Sequence, residues 1–177
     1  MLEPASNYKE QIEKAFCREQ YSDRLFWYDG SIENYDHEIK TECDKYAYAI
    51  VHSGQVIGYV SFRVDWYCST VFNFGLIRFL DTYFDNPEQA YKRTEPIMIN
   101  AIREIIELVE SFNLHRIDFR CVSGNPAERG YKGIVKIIEK TNKYDIHIVK
   151  FIDNIKDRKG EYHNTTMYEL IRREDTT

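Results

Sequence analysis

Hydrophobic positions change their period several times along this chain of 177 residues, and each change marks an element. After a short strand at Met1 to Pro4, Tyr8, Ile12, Ala15 and Phe16 recur at helical spacing, with Asn7 and Glu10 separated as in a capping box. Ile32, Tyr35 and Ile39 predict a second, shorter helix from Ser31. The period then drops to two. Tyr46 to Val51 and Val56 to Asp65 read as the arms of a hairpin around His52-Ser53-Gly54-Gln55, with glycine at its tip. A third strand over Thr70 to about Leu80 follows a bend at Trp66-Tyr67.

Thr94-Glu95-Pro96 predicts a helix start, because threonine caps and proline is tolerated in the first turn. From there Met98, Ala101, Ile102, Ile105, Leu108, Val109 and Phe112 form one apolar stripe. Ile117, Phe119 and Cys121 then alternate with Arg116, Asp118 and Arg120, which predicts a strand. Asn125-Pro126 opens a helix to about Lys140, with Tyr131, Ile134, Ile137 and Ile138 inward. Gly130 and Gly133 each cost that helix roughly 1 kcal/mol of propensity, a sign of close backbone approach to a strand or a ligand. Strands over 145 to 155 and 162 to 172 complete the order β-α-α-β-β-β-α-β-α-β-β. This is an α/β domain over 1–173, with a mixed, mostly antiparallel central sheet, helices on both faces, and a short tail at 174–177.

Composition narrows the function. A hydrophobic share of 43% is enough for one core at this length. The formal net charge of −5 argues against nucleic acid as a partner. No apolar run reaches membrane-spanning length, so the chain reads as soluble and cytoplasmic, with no membrane partner. Cys17, Cys43, Cys68 and Cys121 form no C-x-x-C pair and no histidine pair has metal-ligand spacing, so no metal site is expected. Cys68 and Cys121 stand in apolar, strand-like contexts and read as buried thiols. Hydrolase-elbow, Walker and dinucleotide motifs are absent from the sequence.

Four strings, in this order, carry a resemblance. They are Ser53-Gly54-Gln55-Val56-Ile57-Gly58-Tyr59-Val60-Ser61-Phe62; Leu114-His115-Arg116-Ile117; Gly124-Asn125-Pro126-Ala127-Glu128-Arg129-Gly130-Tyr131; and Asp157 to Tyr162 leading to Met167-Tyr168-Glu169-Leu170. Together with the element order, they resemble the GNAT N-acetyltransferases over nearly the whole chain. The third string resembles that family's N-x-x-A-x-x-x-Y, with Gly124 at the asparagine position unless Asn125 serves with one residue deleted. The family's pyrophosphate motif, R/Q-x-x-G-x-G/A, has no match in Leu76 to Thr94. No glycine occurs between Gly75 and Gly124.

The resemblance implies acetyl-CoA as co-substrate and an amine of a small molecule or protein as acceptor. It implies Tyr131 as proton donor to the leaving thiolate, the other reading being a core tyrosine on an amphipathic helix. It also implies a bulge near Phe74, Gly75 and Leu76 that polarises the acetyl carbonyl, while Gly75 could equally mark tight packing. In place of the missing glycines, Lys92 and Arg93 at the expected helix start of Thr94 are candidate phosphate partners, with Asn125 contributing. A solvated helix flank accounts for Lys92 and Arg93 equally well. Asp65, Asp81 and Glu42 are candidate bases, none singled out. The alternative function is a GNAT-like binding or assembly module that has lost coenzyme A, and a homodimer fits either.

Overall fold

The computed structural model describes residues 1–16, 44–79, 87–124, 127–156 and 160–173. The expected helix from Ser31 and the tail at 174–177 lie outside them. β1 (Leu2–Pro4) leads through a 3-10 turn over Ala5–Tyr8 into α1 (Lys9–Phe16). Helix α1 therefore begins two residues beyond Asn7, which lies inside the 3-10 turn instead of capping it.

β2 (Asp44–His52) and β3 (Gln55–Asp65) form the expected hairpin. Ser53 and Gly54 at its tip have φ of +50° and +76°, the left-handed pair that a tight two-residue turn requires. β4 (Thr70–Arg78) returns antiparallel to β3. The sheet continues through β5 (Arg116–Val122), β6 (Tyr144–Lys156) and β7 (Tyr162–Arg172) in the order β1-β2-β3-β4-β5-β7-β6. Every pairing is antiparallel except that of β4 with β5.

Helix α2 (Pro87–Ser111) begins seven residues before the predicted start at Thr94. Asn86-Pro87-Glu88 carries its own start signal, an asparagine before a first-turn proline and an acid. Pro96 consequently lies inside the helix, where the lost hydrogen bond and ring clash cost about 3 kcal/mol. Burial of Met98, Ala101, Ile102, Ile105, Ile106 and Val109 on the same helix opposes that cost. With α3 (Ala127–Glu139), α2 covers the main core. A smaller cluster under α1 gathers Ile12, Ala15, Ala49, Val51, Val56, Tyr59 and Phe79 on the other face.

Asparagine does glycine's work where both long helices stop. Asn113 (φ +53°) and Asn142 (φ +56°) adopt the left-handed conformation just beyond α2 and α3. Their amides donate to the carbonyls of Glu110 and Glu139. The two glycines inside α3 behave differently from expectation. A Cβ on Gly130 would meet only Leu76 Cδ2 at 3.7 Å, and one on Gly133 would meet nothing within 4 Å. Gly58 is the tight one, since a Cβ there would lie 2.8 Å from the Ile77 carbonyl oxygen and 3.1 Å from Ile50 Cδ1.

Opposite stability changes follow at two glycines. Gly133→Ala is expected to stabilise the fold by about 0.5–1 kcal/mol, and Gly58→Ala to destabilise it by about 1–3 kcal/mol. Denaturant midpoints of the two variants check both signs.

Candidate active site

The central strands part. Parallel pairing of β4 with β5 consists of Thr70 with Arg116 and Val71 with Ile117, and then stops. Beyond those pairs, no described strand pairs with the edge of β4 that faces β5. The bulge falls at the same place. Ser61 pairs with Gly75 and Arg63 with Phe72, so Phe62 on β3 opposes both Asn73 and Phe74 on β4. Asn73 supplies the left-handed backbone, with φ +50°, and its side chain is exposed. The bulge therefore belongs to Asn73 and Phe74, whereas Gly75 stays in the ladder.

Tyr131 reaches this opening from α3. Its hydroxyl donates to the Phe74 carbonyl oxygen at 3.1 Å, and the residue is only 2% exposed. Helical spacing aims Tyr131 inward with Ile134 and Ile138. Its ring lies 5.1 Å from Phe119 and 6.2 Å from Phe74, and Phe119 stacks on Tyr168 at 5.1 Å. An aromatic column thus bridges the parted strands on their helix-covered face. Beside it, a small apolar cavity lined by Phe74, Ile105, Phe119 and Ile134 has room for about one water molecule.

The other predicted site residues are spread unevenly around this point. Phe74 and Leu76 bury their side chains in the core, which leaves their backbone to face the parting. Lys92 is exposed on the second turn of α2. Thr94 is the correction: it is buried inside α2, where Arg78 at the end of β4 donates to its hydroxyl through both Nε (2.9 Å) and Nη2. It caps no helix start. The side chain of Arg93 and all of Asn125 lie outside the described residues, as do Asp81 and Glu42. Asp65 belongs to the closed end. It pairs with Thr70, and the Cys68 amide donates to its carboxylate at 2.8 Å, which holds its pKa below the usual range.

Charged groups frame both ends of the parting. At the closed end, Arg116 donates to Asp118 at 2.8 Å and reaches Glu169 on β7 at 2.5 Å. The hydrogen bond to Asp118 raises the guanidinium pKa further, with both carboxylates adding attraction. At the open end, Arg129 on α3 bridges to Glu95 on α2 at 3.1 Å. Glu128 accepts from Lys132 at 2.9 Å and from the Gly124 amide at 3.2 Å, contacts that lower its pKa against the effect of burial. Sequence reasoning missed Arg78 and Asn73. An isolated arginine closing a strand is a weak signal, whereas an exposed asparagine amid strand residues is a usable one.

The cysteines divide. Cys121 is fully buried, and burial pushes its thiol up to about 12, whereas Cys68 is exposed on the β3–β4 turn against the expectation for it. Among the described residues no group of three or more acids, histidines and cysteines could hold a metal ion, and no helix is long and apolar enough to cross a membrane.

Solved structures place this architecture. The fold is that of the GNAT N-acetyltransferases. It matches a GCN5-related N-acetyltransferase from Brucella melitensis with a TM-score of 0.61 and 17% identity, covering 96% of this chain and 74% of that one. A probable GNAT-family acetyltransferase from Chromobacterium violaceum matches at 0.60 and 13%, covering 97% and 85%. A spermidine N-acetyltransferase chimera from Vibrio cholerae and hSSAT matches at 0.60 and 14%, covering 97% and 94%. No protein-family model and no curated protein matches the sequence.

Thiol chemistry separates the two described cysteines. Alkylation of the native protein at mildly alkaline pH is expected to modify Cys68 and to reach Cys121 only after unfolding, as peptide mapping would show. The folded Cys121 pKa exceeds its unfolded value. Its contribution to stability is therefore complete below the ordinary thiol pKa and is lost as pH rises toward about 12.

Proposed function

We propose that this chain is an acetyl-CoA-dependent N-acetyltransferase whose thioester arm lies between β4 and β5. One observation carries the reading. The two strands part after two pairs, β4 bulges at the opening, and a tyrosine hydroxyl reaches the bulged backbone. The fold is shared with acetyltransferases, one of them a spermidine N-acetyltransferase. The acceptor is an amine of a small molecule or a protein, and the net charge of −5 favours a cationic one by electrostatic steering.

Acetyl-CoA supplies the activated acyl group, and its pantetheine arm fits the uncovered edge of β4 from Phe74 to Leu76. In this reading the bulged backbone orients the acetyl carbonyl. The acceptor amine, after losing any ammonium proton to water, attacks that carbonyl through its nitrogen lone pair. The carbon–sulfur bond breaks, and Tyr131 gives its phenolic proton to the sulfur and regains one from water. A phenol of reference pKa near 10 can protonate a thiolate of slightly lower basicity. The acceptor's proton leaves to water. At the diphosphate end, exposed Lys92 is the described candidate cation, and Thr94, held by Arg78, is not part of the proposed contact.

A second reading, a GNAT-like binding module without coenzyme A, draws on the glycine-free run and on the buried aromatic column at the parting. Calorimetric titration with acetyl-CoA separates the two. The enzyme reading expects saturable binding, and absence of binding at millimolar acetyl-CoA selects the module. Tyr131→Phe is expected to lower kcat by about 10²–10⁴ with little change in acetyl-CoA affinity. It should also cost about 1 kcal/mol of stability through the lost hydrogen bond. Unchanged turnover would remove the proton-donor role.

A further inference from the structure

On its helix-covered face the parting is filled by Phe74, Phe119 and Tyr131, whose rings are in mutual contact. An acceptor therefore reaches it from the opposite face of the sheet, the one that carries α1. Val60, Phe62 and Val64 point into the main core, so Ser61 between them points to that opposite face. Directly opposed residues share a face, and Ser61 is paired with Gly75 on β4. Asp118 on β5 joins them, but Arg116 already holds both of its carboxylate oxygens, at 2.8 and 2.9 Å. Ser61 is the unsatisfied group. It is 9% exposed, and its hydroxyl makes no hydrogen bond among the described residues. Such a buried hydroxyl is costly. Gly75 leaves room beside it: a Cβ there would meet Ser61 Oγ at 3.7 Å and no other side-chain atom of the described residues within 4 Å. Neither packing, as at Gly58, nor a left-handed φ calls for glycine at position 75. A strand glycine without those reasons marks close approach of a ligand.

Resting on the N-acetyltransferase reading, we infer that Ser61 and Gly75 form the seat of the acceptor nitrogen, and that the acceptor is a primary amine. Gly75 gives the nitrogen room beside the bulged backbone, and Ser61 Oγ accepts a hydrogen bond from one of its N–H groups. The chemistry selects the class. A neutral primary amine carries two N–H bonds. Its lone pair forms the bond to the acetyl carbon, and the carbon–sulfur pair leaves with the sulfur, which takes the proton of Tyr131. One hydrogen of the nitrogen then departs to water as a proton. The other stays on nitrogen and on Ser61 through to the amide product. A secondary amine gives up its only hydrogen and leaves the Ser61 hydroxyl unsatisfied again.

Acetyl transfer by the full chain to butylamine and to N-methylbutylamine, followed by release of the coenzyme A thiol, tests the seat. The wild type is expected to prefer butylamine. Ser61→Ala should lower kcat/KM for butylamine about tenfold, chiefly through KM, and affect any transfer to N-methylbutylamine less. Its affinity for acetyl-CoA, measured by calorimetry, should be unchanged. The same variant should melt no lower than the wild type, because no described partner loses a bond. Gly75→Ala, whose Cβ makes only ordinary contact with Ser61, should fold normally and lose more of the butylamine transfer. Unchanged butylamine kinetics in Ser61→Ala, equal losses for the two amines, or a lowered melt overturns the inference and leaves the acetyltransferase reading standing. Binding of acetyl-CoA without transfer to butylamine does the same. A wild type that binds no acetyl-CoA overturns that reading, and this inference with it.

Discussion

One backbone irregularity shapes the middle of this protein. By fitting Asn73 and Phe74 opposite Phe62 alone, β4 bends at the residue where its pairing to β5 is already lost. The left-handed geometry at Asn73 costs a residue with a side chain about a kcal/mol, and asparagine is among the side chains that tolerate it best. The bend leaves the Phe74 carbonyl without a β5 partner, and Tyr131 provides the missing donor. A buried carbonyl without a donor would be costly, so bulge and tyrosine depend on each other. The same pair of features defines the candidate site.

Packing makes the arrangement rigid. Phe62, Phe74, Phe119 and Tyr168 run as a chain of ring contacts, and Tyr131 touches two of its members. Ring pairs of this kind contribute about 0.5–1.5 kcal/mol each beyond area burial, more than a typical exposed ion pair. The salt bridges at the two ends of the parting therefore orient groups more than they stabilise the fold. The aromatic column also limits free space on the helix-covered face, so the proposed pantetheine arm would run along the backbone edge of β4.

Much of this was legible in the sequence, and the failures have specific causes. Periodic patterns located strands and the two long helices most clearly where one face is buried, as with Ile117, Phe119 and Cys121 on β5. The start of α2 was misplaced because Thr94-Glu95-Pro96 imitates a capped beginning, while tertiary burial draws the helix through Pro96 from Pro87. The bulge was anticipated on β4 but assigned near Gly75, since glycine is the default sign of irregular backbone. Here, as beyond α2 and α3, asparagine carries the left-handed residue. Cys68 was misread because an apolar neighbourhood in sequence became an exposed turn. The hydrogen bond from Tyr131 to Phe74 spans 57 residues, and no local pattern encodes it.

Backbone amide NMR during addition of coenzyme A bears most directly on whether the parted strands receive a thioester arm. The account predicts that the amides of Asn73, Phe74, Gly75 and Leu76 shift together and saturate at the ligand's binding constant, with the side chain of Tyr131 following. Saturable binding that leaves this stretch of β4 unperturbed while moving signals elsewhere would contradict it.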